Sequence, residues 1–182
     1  MFPIHLVTKV DLEFIPSNYK DLTGDKSAMD AIICFKTADG KDGFIAIETK
    51  YSENLGTNEA SNTDKAIETI RQLSCFNSDF EERINKKKTK LTQIYRNFLL
   101  SERYGLWIGA ESFSIVLSPE LHPSTDNEVF SVTNEMRPEY KGKLQSITLE
   151  SFTNKLISES PEEYAEIFRR FRDRYLSFDR VE

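Results

Sequence analysis

Three residues in this chain have the types and the spacing to do chemistry together: Asp30, Glu48 and Lys50. The run Ile45-Ala46-Ile47-Glu48-Thr49-Lys50 reads as the end of a strand, where residues two apart face the same way, so Glu48 and Lys50 project side by side. Neither charge is easily buried there without a partner. An earlier apolar run, Met29 to Phe35, carries Asp30. Two carboxylates brought close together repel, and a hard divalent cation such as Mg²⁺ neutralises them. A cation held in this way lowers the pKa of a bound water and stabilises charge on a phosphate oxygen, while Lys50 orients or polarises that water. A bare Glu-x-Lys is common, and on its own it reads as a solvated pair. The apolar strand in front of it, the acid at hairpin distance and the helices behind it set this one apart.

The two runs are joined by Thr37 to Gly43, which holds two Asp-Gly pairs, a hairpin signal. Mirror pairing about Asp39-Gly40 sets Asp30 opposite Thr49, on the wrong face by one residue. A three-residue loop with a bulge sets it opposite Glu48 or Lys50 instead. Both registers are open to this sequence.

The elements that must position these residues follow from periodicity and punctuation. Strands are expected at Ile4–Phe14, Met29–Phe35, Gly43–Lys50, Ser112–Leu117 and Lys143–Leu149, with a polar loop at Ser17–Ala28. Phe44 and Ala46 point one way and Ile45 and Ile47 the other, which suits a central strand covered on both sides. Helices are expected from an N-cap in Ser61–Asp64 to about Cys75, from about Asp79 to Arg103, over Thr125–Tyr140, and over Pro161–Phe178. The order β-β-β-α-α-β-α-β-α predicts an α/β fold, a mixed central sheet flanked by helices. At 182 residues the chain is sized for a single domain, 1–182. No apolar run reaches the roughly 18 residues of a membrane span, and no secretory signal is read at Met1-Phe2-Pro3-Ile4-His5. Cys34 and Cys75 lack metal-type spacing and read as reduced thiols of a cytoplasmic protein. No Gly-rich phosphate loop, Gly-x-Ser-x-Gly elbow or zinc cluster is present.

The stretches Ser27-Ala28-Met29-Asp30-Ala31 and Gly43-Phe44-Ile45-Ala46-Ile47-Glu48-Thr49-Lys50-Tyr51-Ser52-Glu53 resemble a bacterial family of restriction endonucleases in the PD-(D/E)XK nuclease superfamily. Gln93-Ile94-Tyr95-Arg96-Asn97-Phe98-Leu99-Leu100 resembles that family's helix motif, and Phe113 to Glu120 its following strand and loop. The likeness runs from Val10 to Leu156, with Glu-Thr-Lys-Tyr as its most specific part. It implies a restriction-endonuclease-like core and metal ligation by Asp30 and Glu48, with Mg²⁺ or Mn²⁺ as the ion. It also implies a catalytic role for Lys50 and hydrolysis of DNA phosphodiesters. Cores of this superfamily normally have a helix before the first strand, whereas here the sequence opens almost directly on that strand. The competing reading is a nuclease-fold binding protein without catalysis, or a subunit of a defence or repair assembly; a weaker third is action on RNA or on free ends.

Gln93, Arg96 and Asn97 share one helix face. With the resemblance, Gln93 is expected near the active centre and Arg96 toward a phosphate, while Glu53 is as suited to capping as to metal support. The net charge of −6, from 24 basic and 30 acidic residues, speaks against nucleic acid as a partner. It conceals local basic runs: Arg83, Lys86, Lys87, Lys88, Lys90 and Arg96 with no acid among them, and Arg169, Arg170, Arg172 and Arg174 near the C-terminus. Either run could track a phosphate backbone or be an ordinary solvated face. DNA is the expected partner and a membrane is not; a homodimer remains open. Tyr51 and Trp107 are expected in the core, with stacking on bases as the alternative.

Overall fold

The computed structural model describes residues 4–24, 26–52, 64–86 and 91–177. Its sheet has five strands in the order β1 (Ile4–Phe14), β2 (Met29–Thr37), β3 (Asp42–Thr49), β4 (Glu111–Ser118) and β5 (Leu144–Thr148). The pairs β1–β2 and β2–β3 are antiparallel, and β3–β4 and β4–β5 are parallel, so the sheet is mixed. Two antiparallel strands can share a tight hairpin, whereas the parallel step from β3 to β4 needs a long crossover. That crossover is helical: α2 (Asp64–Leu73), α3 (Ser78–Asn85) and α4 (Gln93–Ile108). The β4–β5 crossover carries α5 (Thr125–Glu135), and the chain continues into α6 (Leu149–Glu159) and α7 (Glu162–Tyr175). A short α1 (Tyr19–Leu22) lies between β1 and β2.

The β2–β3 turn settles the register. Thr37 and Lys41 close a three-residue loop, Ala38-Asp39-Gly40, through Thr37 N–H to Lys41 O (2.9 Å). Gly40 takes φ 83°, the left-handed position such loops require. Asp39 folds back on the turn, accepting from Thr37 Oγ1 (2.5 Å) and pairing with Lys41; the cation and the hydroxyl hold its carboxyl down at about 2. Pairing therefore centres on Asp39: Lys36 faces Asp42 and Ala31 faces Ile47. One step further, Asp30 comes alongside Glu48.

The principal core lies between the helices and one sheet face. Phe76, Phe80, Tyr95 and Phe98 form its aromatic centre, with Ile70, Ile84, Leu91, Ile94 and Val116 packed around them. Phe80 stacks on Tyr95 with ring centroids 5.1 Å apart. This contact corrects the single helix expected from Asp79 to Arg103. A straight helix would hold those two residues about 22 Å apart, at 1.5 Å per residue. Instead α3 ends at Asn85, Leu91 sits in an isolated bridge, Thr92 is extended (φ −71°, ψ 173°), and α4 starts afresh at Gln93. The apolar residues of both helices lie on one helical stripe, so the sequence pattern did not reveal the break. The two helices fold back on one cluster.

Further differences have local causes. The helix expected to Tyr140 stops at Glu135: Met136 is extended (φ −79°, ψ 149°) and Pro138 opens a 3-10 turn, Pro138–Lys143. The unforeseen α6 is capped by Thr148, whose side chain accepts from Ser151 N–H (3.1 Å). Trp107 and Tyr51 are 61% and 48% exposed, which corrects the expectation of core packing for both. Cys34 and Cys75 are free thiols, and burial pushes Cys75 up to about 12. Among the described residues no helix is long and apolar enough to cross a membrane.

On the other sheet face Phe35, Ile45 and Phe113 form a smaller cluster, flanked by half-buried Ile33, Ile47 and Ile115. Gly43 makes room for it: a Cβ there would stand 2.5 Å from Phe35 Cζ and 3.2 Å from Glu111 O. Gly43→Ala should cost about 2 kcal/mol, in the range for overpacking a filled core. Gly142→Ala, where nothing lies within 4 Å of the added carbon, should change little. Urea unfolding midpoints measure both; equal midpoints would show that the Phe35 ring gives way freely.

Candidate active site

Glu48 is the last but one residue of β3, and it is buried, at 6% exposure. A carboxylate so placed must have partners, and the fold supplies them from two directions. Along its own strand, Lys50, itself 5% exposed, reaches back with Nζ 2.8 Å from Glu48 Oε1. From α4, Gln93 Nε2 donates to Oε1 (2.6 Å) and Asn97 Nδ2 donates to Oε2 (2.8 Å). Gln93 and Asn97 stand one helical turn apart, so both amides address one carboxylate. Ile94, Tyr95, Phe98 and Leu99 bury the remaining faces of α4, which fixes the helix's rotation. The Lys50 backbone is anchored too, its N–H donating to Leu117 O of β4 (2.7 Å).

Asp30 is half-buried at the start of β2. Its Oδ2 accepts from the amide (2.7 Å) and the hydroxyl (2.5 Å) of Thr49. The carboxylate is thus turned toward Thr49, although its residue lies beside Glu48 in the register. Asp30, Glu48, Thr49, Lys50 and Gln93 line one cleft of about 640 Å³, joined by Glu13. Glu13, next to last in β1, takes φ 51°, a backbone position costing a non-glycine residue of order 1 kcal/mol.

The cleft brings together Asp30, Glu48, Lys50 and Gln93 of the residues singled out from sequence. Arg96 is half-buried on α4 and does not line the cleft. Glu53, Lys87, Lys88 and Lys90 lie outside the described residues. Of the basic residues expected to track a backbone, Arg83 pairs with Glu135 (2.6 Å) and Lys86 with Glu82. On α7, Arg169 pairs with Glu162 (2.6 Å), Arg170 with Glu166 (3.1 Å) and Arg172 with Asp173 (3.4 Å). These arginines are engaged within their own helix, as in a solvated helix face. Asn97, Thr49 and Glu13 were not assigned to the site from sequence. The signal for Asn97 was its place four residues after Gln93; for Thr49 and Glu13 no signal existed, because their roles depend on register and backbone conformation.

Among the described residues the cleft is lined by oxygens, the Gln93 amide and one ammonium, with no thiol or imidazole. Among the described residues no three or more His, Cys, Asp and Glu side chains group as a metal cage. Two carboxylates on one rim suit a hard divalent cation that keeps most of its waters. A family model described as PD-(D/E)XK nuclease superfamily matches residues 1–177. The chain belongs to the PD-(D/E)XK nuclease superfamily. No curated protein and no solved structure matches it. The five-stranded mixed sheet with flanking helices agrees with the restriction-endonuclease-like α/β fold.

A buried ion pair broken on one side leaves an uncompensated charge, typically at a cost of about 3–5 kcal/mol. Lys50→Met should therefore lower stability by about 3 kcal/mol, the two amides offsetting part of the loss. Glu48→Gln added to Lys50→Met should recover most of it. Additive losses in this double-mutant cycle, read from denaturant unfolding, would show that the pair is not coupled.

Proposed function

We propose that this chain is a Mg²⁺-dependent endodeoxyribonuclease acting as one domain over residues 1–182, with Asp30, Glu48 and Lys50 as its catalytic centre. The observation that carries this reading is the buried Glu48 carboxylate, clamped by Lys50, Gln93 and Asn97 on the rim where Asp30 also stands.

Asp30 and Glu48 would hold the ion. Once bound, Mg²⁺ supplies a water of lowered pKa and neutralises charge on a phosphate oxygen. The rest is work for the chain's own groups. Gln93 and Asn97 fix the Glu48 carboxylate in one rotamer, so that it meets the ion without reorganising. Lys50 is placed to hold the attacking water by hydrogen bond and to offset negative charge gathering on the phosphorus oxygens. Its Nζ sits on Glu48, so substrate and ion would compete with that contact for the ammonium. Thr49 holds Asp30 through a single oxygen.

DNA as substrate rests on membership of the nuclease superfamily and on the chemistry of the rim. Neither the geometry nor the comparisons support the homodimer considered from the sequence. A nuclease-fold binding protein is the alternative, and metal binding with cleavage separates the two. Isothermal titration with Mn²⁺ and nicking of supercoiled DNA should be run on three proteins. Wild type should bind and cut, Lys50→Ala should bind without cutting, and Glu48→Ala should do neither, because of the two carboxylates assigned to the ion only Asp30 is left, too little charge to dehydrate it. A wild-type protein that neither binds nor cuts would make the chain a binding module. Cutting by Lys50→Ala at the wild-type rate would remove Lys50 from the mechanism.

A further inference from the structure

Behind Glu48, between β3, β4 and α4, lies a partly enclosed cavity of about 20 Å³. Its walls include Ala46, Ile94, Leu144, Glu48, Asn97 and Ser114. Among the described residues, two buried polar atoms of its lining residues have no hydrogen-bond partner: Asn97 Oδ1 and Ser114 Oγ. Ser114 is 8% exposed and sits in mid-strand, paired with Ala46 on one side and Leu144 on the other. A buried hydroxyl or amide oxygen left unsatisfied costs about 1–3 kcal/mol. A cavity above roughly 10–15 Å³ with two to four polar partners holds a water.

The orientation of Asn97 links this cavity to the cleft. A carboxylate only accepts, so Glu48 must receive the Asn97 amide nitrogen, and the amide oxygen is thereby directed away from it. Among the described residues nothing holds that oxygen. We infer that the cavity binds one internal water bridging Ser114 Oγ and Asn97 Oδ1, which makes Ser114 a positioning residue for Glu48. Ser114 then acts through the water on Asn97, and Asn97 acts on the carboxylate. The water has a third neighbour in Glu48 itself. This inference rests on the reading of Glu48 as a metal ligand, but the water does not.

A high-resolution crystal structure of the intact chain decides the first half. One ordered water within hydrogen-bond distance of Ser114 Oγ and Asn97 Oδ1 is expected; a dry cavity, or Ser114 Oγ turned onto a backbone carbonyl, overturns the inference. Mn²⁺ titration decides the second half. Ser114→Val suits a strand and fills the cavity, and it should weaken Mn²⁺ binding roughly tenfold, as loss of an outer orienting contact does. Ser114→Ala, which leaves the water two partners, should weaken it less. In an Asn97→Leu background Ser114→Val should have no further effect, whereas a merely structural role predicts additive losses. Unchanged Mn²⁺ affinity in Ser114→Val, with the fold checked by thermal melting, overturns the positioning role. If wild type binds no Mn²⁺, the metal reading of Glu48 fails, and with it the positioning role, while the crystallographic water still stands or falls by itself.

Discussion

Everything at this site depends on holding the Glu48 carboxyl group out of water. A carboxylate at 6% exposure is tolerated only if charge and hydrogen bonds replace its hydration. Lys50 supplies the charge from two residues along the same strand, and Gln93 and Asn97 supply the hydrogen bonds from a separate helix. The strand alone could present the acid but could not hold it. The crossover helix is therefore part of the site as well as part of the scaffold.

That requirement explains features remote from the cleft. Helix α4 must be rotated so that Gln93 and Asn97 face the sheet, and the aromatic cluster of Phe76, Phe80, Tyr95 and Phe98 sets this rotation. The break between α3 and α4 lets Phe80 return onto Tyr95, locking the first turns of α4 where the two amides sit. On the opposite flank, the three-residue turn at Ala38-Asp39-Gly40 sets the β2–β3 register that carries Asp30 to the same rim. A slip of one residue in that turn would send Asp30 to the other face.

Much of this was legible in the sequence, and the rest failed for identifiable reasons. Period-2 spacing placed Glu48 and Lys50 together, and the apolar runs gave the strands nearly residue for residue. The register was legible only to within one residue, because Asp39-Gly40 suits both two- and three-residue turns. The α3–α4 break was hidden because its apolar residues keep one helical stripe across it. Helix α6 was missed because its cap, Thr148, ends a strand without any Pro or Gly to mark the change. The basic runs looked like a phosphate track, yet Arg169, Arg170 and Arg172 answer acids on their own helix and Arg83 answers Glu135. Asn97 was visible on the right face, but only the Glu48 rotamer shows what it holds.

In the proposed mechanism one ion, shared by Asp30 and Glu48, is the centre of the chemistry. Anomalous diffraction from crystals soaked in Mn²⁺ tests this most directly. The predicted result is a single strong peak at metal–oxygen distances of about 2.1 Å from both carboxylates, with Gln93 and Asn97 still bonded to Glu48. A peak elsewhere, or none while Asp30 stays on Thr49 and Glu48 stays on Lys50, would contradict it.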